Sequence, residues 1–324
     1  MKLRVGTYRL RAALLKEAAP RSGSLARILR HPNPLEAPWR QRVVNASRAG
    51  AMGDVLMCTP ALREVKRKNP AGHVRFFTNF PSLVRDLPYI DEVRPFEERP
   101  KTATYLAYED TIPPHAPIAS IIGDKLGVKI RDIRPDCVIE AVLAEKFAPL
   151  WRDGPNPRIV VNRRAGTWTP NKNWPDSYWD ELIDRLGRVA TVIEIGMDRP
   201  ANCDTRARHH VDLRGQTSLD ECVAVVAAAD LHVGPPSGPV HVAAAARKPS
   251  VVIYGGYEHP LCTPYPENEP LYNPVDCAPC WLREPCPFDR KCLRGITPDA
   301  VEAAVWRVWA RSGGLPRDFT AAAD

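Results

Sequence analysis

The chain has 324 residues, 44% hydrophobic and 26% charged, with a formal net charge of +7. That composition excludes a wholly disordered chain, and the length exceeds the size at which one core keeps growing, so two domains are expected. The first 40 residues hold nine bases (Lys2, Arg4, Arg9, Arg11, Lys16, Arg21, Arg27, Arg30, Arg40) against two acids, Glu17 and Glu36, so the whole excess of seven lies in an N-terminal arm. The body from residue 41 is balanced, which argues against a nucleic-acid binder.

Within the arm, Leu10, Ala13, Leu14 and Ala18 fall at helical spacing among bases, a short basic amphipathic pattern. Arg9, Arg11 and Lys16 interrupt any signal-peptide core, and no apolar run approaches the roughly 20 residues of a membrane span. The expected location is cytoplasmic. A basic arm could hold the chain on the inner face of the inner membrane; a disordered or partner-docking tail is the alternative. A Pro-rich link, residues 31–38, leads into the body.

There the sequence predicts a strand over 42–47, a Gly-containing turn over 48–54 and a helix over 55–68, followed by strands over 74–78 and 92–96. Residues 98–150 are harder to read, with a helix over 118–126. A second series follows the Pro-rich segment 153–157. Its strands fall at 159–162, 190–195, 231–233 and 250–254, and its helices at 177–186, 219–229 and 237–246. Two β-loop-α series imply two Rossmann-like domains, 41–153 and 154–312, with a tail over 313–324. Ligands of such sheets bind beyond the carboxyl ends of the strands.

Three motifs sit at those ends. Gly50 and Gly53 form the first turn, and Asp54 opens the helix facing the expected cleft, either as an N-cap or as a reactive carboxylate. Pro236-Ser237-Gly238-Pro239-Val240-His241 opens a small-residue helix whose free N–H groups suit an anion; a plain βα turn with a capping serine is the alternative. Lys172, in Asn171-Lys-Asn-Trp-Pro175, could approach the same anion or be a solvated loop lysine.

In order, Met52-Gly-Asp-Val-Leu56 with Thr59-Pro-Ala-Leu62, Lys172-Asn-Trp-Pro175, Asp212-Leu-Arg-Gly-Gln-Thr-Ser-Leu219 and Ser237-Gly-Pro-Val-His241 resemble glycosyltransferase family 9, which contains the lipopolysaccharide heptosyltransferases. The resemblance covers about residues 42 to 308. It implies an α/β GT-B fold, two Rossmann-like domains facing a cleft, and inverting transfer without a catalytic metal or other cofactor. It implies Asp54 as general base, Lys172 as the cation on the donor diphosphate, and Ser237, Gly238, Pro239 and His241 as the segment at that diphosphate. The family usually carries an acid before the Ser/Thr-Gly pair; Pro236 stands there instead, removing an N–H and leaving the donor sugar open. The family's Gly-containing loop at the donor corresponds to Gly255-Gly-Tyr-Glu-His259. Glu258 or His259 could contact the nucleotide, or the loop could be plain surface. Tyr257 or Trp281 could stack on a base, and Asp198 could face a ribose.

Cys277, Cys280, Cys286 and Cys292 are spaced C-x2-C-x5-C-x5-C. Reduced thiols, local disulfides or a structural zinc or iron site are the alternatives. Cys58, Cys137, Cys203, Cys222 and Cys262 have no such grouping and are expected to be buried thiols.

The resulting expectation is a glycosyltransferase moving a sugar, with heptose from ADP-heptose favoured, to a hydroxyl of a lipopolysaccharide-core or related lipid-linked glycan. A relative acting on a protein or secondary metabolite, or a non-catalytic nucleotide-sugar binder, are the alternatives.

Overall fold

A computed structural model describes residues 37–166, 168–198 and 207–313. The basic arm up to residue 36, Cys203 and the tail from residue 314 lie outside the described residues. The chain builds two all-parallel sheets. The first has the order β3-β2-β1-β4, with β1 at Val43–Arg48, β2 at His73–Thr78, β3 at Glu92–Pro95 and β4 at Thr104–Tyr105. The second has the order β10-β9-β8-β5-β6-β7. Its strands are β5 (Arg158–Asn162), β6 (Thr191–Ile195), β7 (His210–Asp212), β8 (Leu231–Gly234), β9 (Ser250–Gly255) and β10 (Asn268–Tyr272).

The helix expected over 55–68 is two helices, α1 (Met52–Leu56) and α2 (Thr59–Lys68). Pro60 is the cause. Its ring would clash with the carbonyl four residues back, and it has no N–H to donate. That carbonyl, Leu56 O, accepts from Thr59 Oγ1 at 2.8 Å instead. The break leaves α1 as a single short turn that carries Asp54 at its start. Helices α3 (Ile118–Leu126) and α4 (Ala141–Glu145) follow, and α4 packs on the second half of the chain, with Lys146 Nζ 2.7 Å from Glu221 Oε1.

Helices α5 (Asp176–Leu186), α6 (Leu219–Ala228), α7 (Gly238–Ala245), α8 (Lys291–Arg294) and α9 (Pro298–Arg311) complete the second half. Helix α6 opens with a capping box: Glu221 N donates to Ser218 Oγ at 3.2 Å, and Ser218 N donates to Glu221 Oε2 at 2.8 Å. Helix α9 opens on Thr297, which accepts from Ala300 N, with Pro298 at the first helical position. Strand β10 holds Pro270, tolerated because the strand is an edge. One buried apolar cluster runs from Val44, Val55 and Leu62 of the first sheet's layer to Val160, Ile193 and Val242 of the second. The two halves thus share a core along their contact.

Inside the second sheet lies a buried ionic group. Glu194 on β6 is fully buried and bonds Arg163 after β5, His210 on β7 at 3.1 Å and Arg214 after β7 at 3.0 Å. Burial pushes its carboxyl upward, but hydrogen bonds from His210 and Arg163 and the charges of both arginines more than offset this, holding it below the usual range. Arg163 also pairs with Asp180, and Arg214 with Asp212 at 2.8 Å. Replacing Glu194 by Ala should cost about 3–5 kcal/mol in urea unfolding, because two buried guanidinium groups lose a shared counter-charge.

Candidate functional site

The site forms where the starts of α1 and α7 meet. Gly53 lies against the His241 ring: a β-carbon on it would stand 2.6 Å from Cδ2. A β-carbon on Gly238 would stand 2.4 Å from Met52 Cγ. The two turns that follow β1 and β8 therefore touch through their glycines, and Asp54 enters the cleft beside the α7 start. Gly50 has φ +133°, and a β-carbon there would fall 2.5 Å from Asp54 Oδ2. Glycine supplies both the backbone angle and the space.

Asp54 is the third residue of α1, not its N-cap. Its carboxylate reaches back to accept from Ala51 N at 2.9 Å through Oδ2, while Oδ1 accepts from Tyr108 Oη at 3.0 Å and lies 3.2 Å from Arg48 Nη2. Asp54 thus closes the helix start from its third position, and its carboxylate faces a polar cluster. Arg48, 1% exposed, ends β1 and is also held by Glu109 at 2.7 and 3.0 Å, under the rings of Tyr105 and Tyr108. Burial, and then the charges of Asp54 and Glu258, raise the Tyr108 phenol, so it stays a proton donor. Arg48, Tyr108 and Glu109 were not found from sequence. Arg48 had a signal in its place at the end of the first strand; residues 108 and 109 lie in a stretch without periodicity.

Lys172 is held by its surroundings. Trp174, fully buried, packs edge-on to Trp179 with centroids 5.0 Å apart and donates to Ile296 O at 2.8 Å. Asn171 donates to Leu282 O and Glu284 O, both at 2.7 Å, and accepts from Cys286 N at 3.0 Å. Thr169 Oγ1 donates toward Leu282 O at 3.2 Å. The Cys-rich loop thus braces the lysine turn. Lys172 Nζ stands 2.9 Å from Glu258 Oε2 and 3.3 Å from Pro236 O.

Ser237 does not cap α7. Its hydroxyl donates to Pro235 O at 3.1 Å and accepts from Asn162 Nδ2 at 3.1 Å. Pro239 occupies the first turn of the helix. His241 is buried and shares a 2.7 Å hydrogen bond with Tyr265 Oη; burial and then the Lys172 charge push its imidazole down to about 3. It is a neutral group near that lysine.

The structure brings together Asp54, Gly50, Gly53, Lys172, Gly238, His241 and Glu258. Asp198 is exposed on the loop after β6, one strand further out than the strand preceding Lys172. His259 is exposed and accepts from Leu261 N at 3.0 Å, capping a turn. Tyr257 is 1% exposed, with Trp281 at 5.3 Å and Lys172 at 5.0 Å from its ring, so it offers no free face to a base. Cys58 and Cys262 are buried, whereas Cys137 and Cys222 are only partly so. Burial and then the charges of its neighbours raise the Cys280 thiol to about 11, and those neighbours include Cys277, Cys292 and Cys286. Among the described residues no group of three or more His, Cys, Asp or Glu is arranged to hold a metal ion.

Two Rossmann-like sheets, with the Asp54 turn of the first set against the α7 start of the second, define a two-domain α/β protein. The sequence profile of glycosyltransferase family 9 (heptosyltransferase) matches residues 127–290, and the chain belongs to that family. Lipopolysaccharide heptosyltransferase 1 of Salmonella typhimurium (strain LT2) is 29% identical over 109 residues, 32% of this chain and 34% of that protein. Lipopolysaccharide heptosyltransferase 2 of Escherichia coli (strain K12) is 32% identical over 96 residues, 26% of this chain and 28% of that protein. The chain thus spans about a third of the length of these curated relatives. Among solved structures, a glycosyl transferase family 9 protein from Veillonella parvula superposes with a TM-score of 0.65 at 17% identity, over 83% of this chain and 97% of that one. The dodecameric iron-containing heptosyltransferase TibC, in complex with ADP-D-beta-D-heptose, gives 0.62 at 20% identity, over 83% and 76%. The fold is GT-B. Among the described residues no helix is long and apolar enough to cross a membrane.

His232, fully buried beside Asn162, is also pushed down to about 3 by burial. Both histidines fold neutral while the unfolded chain protonates near the ordinary value of 6.5, so the fold loses stability as pH falls below that value, toward 3. Thermal unfolding should therefore drop steadily from pH 7 to pH 5, at roughly 1 kcal/mol per pH unit for each histidine, and His232→Asn should make the slope shallower.

Proposed function

We propose that this chain is an inverting glycosyltransferase that moves a sugar from a nucleoside-diphosphate donor to a glycan hydroxyl. The observation that carries the reading is the meeting of the Asp54 helix start with the α7 start at Gly53–His241 and Gly238–Met52, within reach of Lys172. Asp54 takes the proton of the acceptor hydroxyl as its oxygen bonds to the anomeric carbon. The bond from that carbon to the diphosphate oxygen breaks, and the leaving group gains charge. Lys172 and the N–H groups at the α7 start stabilise that charge in a site that is already built. Ser237 leaves those N–H groups uncapped, because its hydroxyl is turned to Pro235 O. Arg48 and Tyr108 hold the Asp54 carboxylate, and Glu109 shares the Arg48 charge. A carboxylate oxygen offers two lone pairs, so these contacts leave Asp54 room for an acceptor hydroxyl.

Likeness to heptosyltransferases favours ADP-heptose as donor and a lipopolysaccharide-core hydroxyl as acceptor. We place the donor in the second domain, residues 154–312, and the acceptor against the first, residues 41–153. The basic arm would add attraction to an anionic membrane face, consistent with a lipid-linked acceptor. Asp54→Asn should cut transfer by about 10²–10⁴-fold while leaving nucleoside-diphosphate affinity unchanged by calorimetry. Full turnover by that variant would end the general-base assignment.

Cys277, Cys280, Cys286 and Cys292 have the chemistry of a four-thiolate zinc or iron site, and likeness to an iron-containing relative supports it, although their sulfurs do not form a ligand shell here. Such an ion would fix the loop that braces Lys172 and would take no part in the transfer itself. Elemental analysis of the purified chain should then find zinc or iron, and Cys280→Ser should remove it; metal-free wild-type protein would leave four thiols as the correct description.

A further inference from the structure

Lys172 already has a counter-ion. Its ammonium lies 2.9 Å from Glu258 Oε2, 3.3 Å from Pro236 O and 5.0 Å from the Tyr257 ring centroid. This pair is unlike those on the surface: the Glu258 side chain is 7% exposed and that of Lys172 is 14% exposed. Glu258 also acts on residues of both halves. Its charge acts on Tyr108 of the first half and on Tyr254, Tyr257 and Tyr265 of the second. Two constraints then conflict. A lysine with three donors must meet a diphosphate, yet its nearest partner is a desolvated carboxylate that repels one. Position 236, which could otherwise hold an acid, contributes only a carbonyl.

We propose that Glu258 is a resident counter-ion that occupies the phosphate position on Lys172, yields it when a nucleoside diphosphate binds and retakes it as the nucleoside diphosphate leaves. The inference rests on Lys172 being the donor lysine. The exchange keeps the buried ammonium paired in both states, since an isolated ammonium in a low-dielectric site is the costly alternative. It also weakens the bound state, because the displaced carboxylate remains near the phosphates. Glu258 thereby limits affinity and speeds release.

The test uses the full chain with inorganic pyrophosphate and ADP as probes, measured by calorimetry and by surface-plasmon dissociation rates. Glu258→Gln should bind both probes about tenfold tighter, with most of the gain in slower dissociation, since a competing like charge is removed. In a Lys172→Met background the same substitution should give a much smaller gain. Glu258→Asp keeps the charge and should bind much as the wild type does, so a general loosening of the loop is distinguished from loss of the carboxylate. Should Glu258→Gln unfold early in a thermal melt, Glu258→Ala supplies the same comparison. Unchanged or weaker binding by folded Glu258→Gln, with binding weakened by Lys172→Met, overturns the counter-ion exchange and leaves the lysine assignment standing. Wild-type binding by Lys172→Met overturns the lysine assignment itself.

Discussion

The contact of two helix starts through glycine governs this molecule. Gly53 admits the His241 ring, and Gly238 admits the Met52 side chain. A β-carbon at Gly53 would meet the buried His241 ring, and one at Gly238 would displace the Met52 side chain. The close approach sets Asp54, on the third residue of α1, beside the uncapped start of α7. Pro60 ends the first turn, so α1 acts as a rigid pedestal for one carboxylate while α2 supplies the apolar face.

Around this contact, the second half of the chain behaves as a clamp for one lysine. Trp174 anchors the turn in the core, and the Cys-rich loop ties it down through Asn171 and Thr169. Long loops ordinarily carry mobility. This one is tied to its neighbour by hydrogen bonds to backbone carbonyls, and Cys280 N and Trp281 N reach Gly256 O and Tyr257 O on the loop that carries Glu258. A metal at the thiols would stiffen an arrangement that the hydrogen bonds already define. Deeper in the same sheet, Glu194 holds two arginines and a histidine. That group stiffens the strand ends from which the loops rise.

Charge is arranged with equal economy in the cleft. Asp54 answers Arg48, which also answers Glu109, and Lys172 answers Glu258. His241 and His232 stay neutral through burial. Each of these ionised groups thus has a nearby opposite charge. Pro236 adds no acid to this set, and the acid beside Lys172 is Glu258, on the loop after the next strand in sequence.

The sequence by itself determined the two βα series, the order of their motifs, the family, and the candidates Asp54, Lys172, Gly53, Gly238 and His241. Those features follow from local pattern: alternation in strands, glycine at turns, small residues at helix starts. It did not determine the split of the first helix ahead of Pro60, the edge strand at 268–272 or the helix at 298–311. Nor did it distinguish Glu258 from His259, the first buried against Lys172 and the second exposed as a turn cap. Tertiary structure decided the partners Arg48, Tyr108 and Glu109, the bracing of Lys172 by the Cys-rich loop, and the pairing of Lys172 with Glu258. These contacts join residues 54 to 115 positions apart in the chain. No periodicity in the sequence registers contacts that arise only when loops distant in the chain are folded together within each domain.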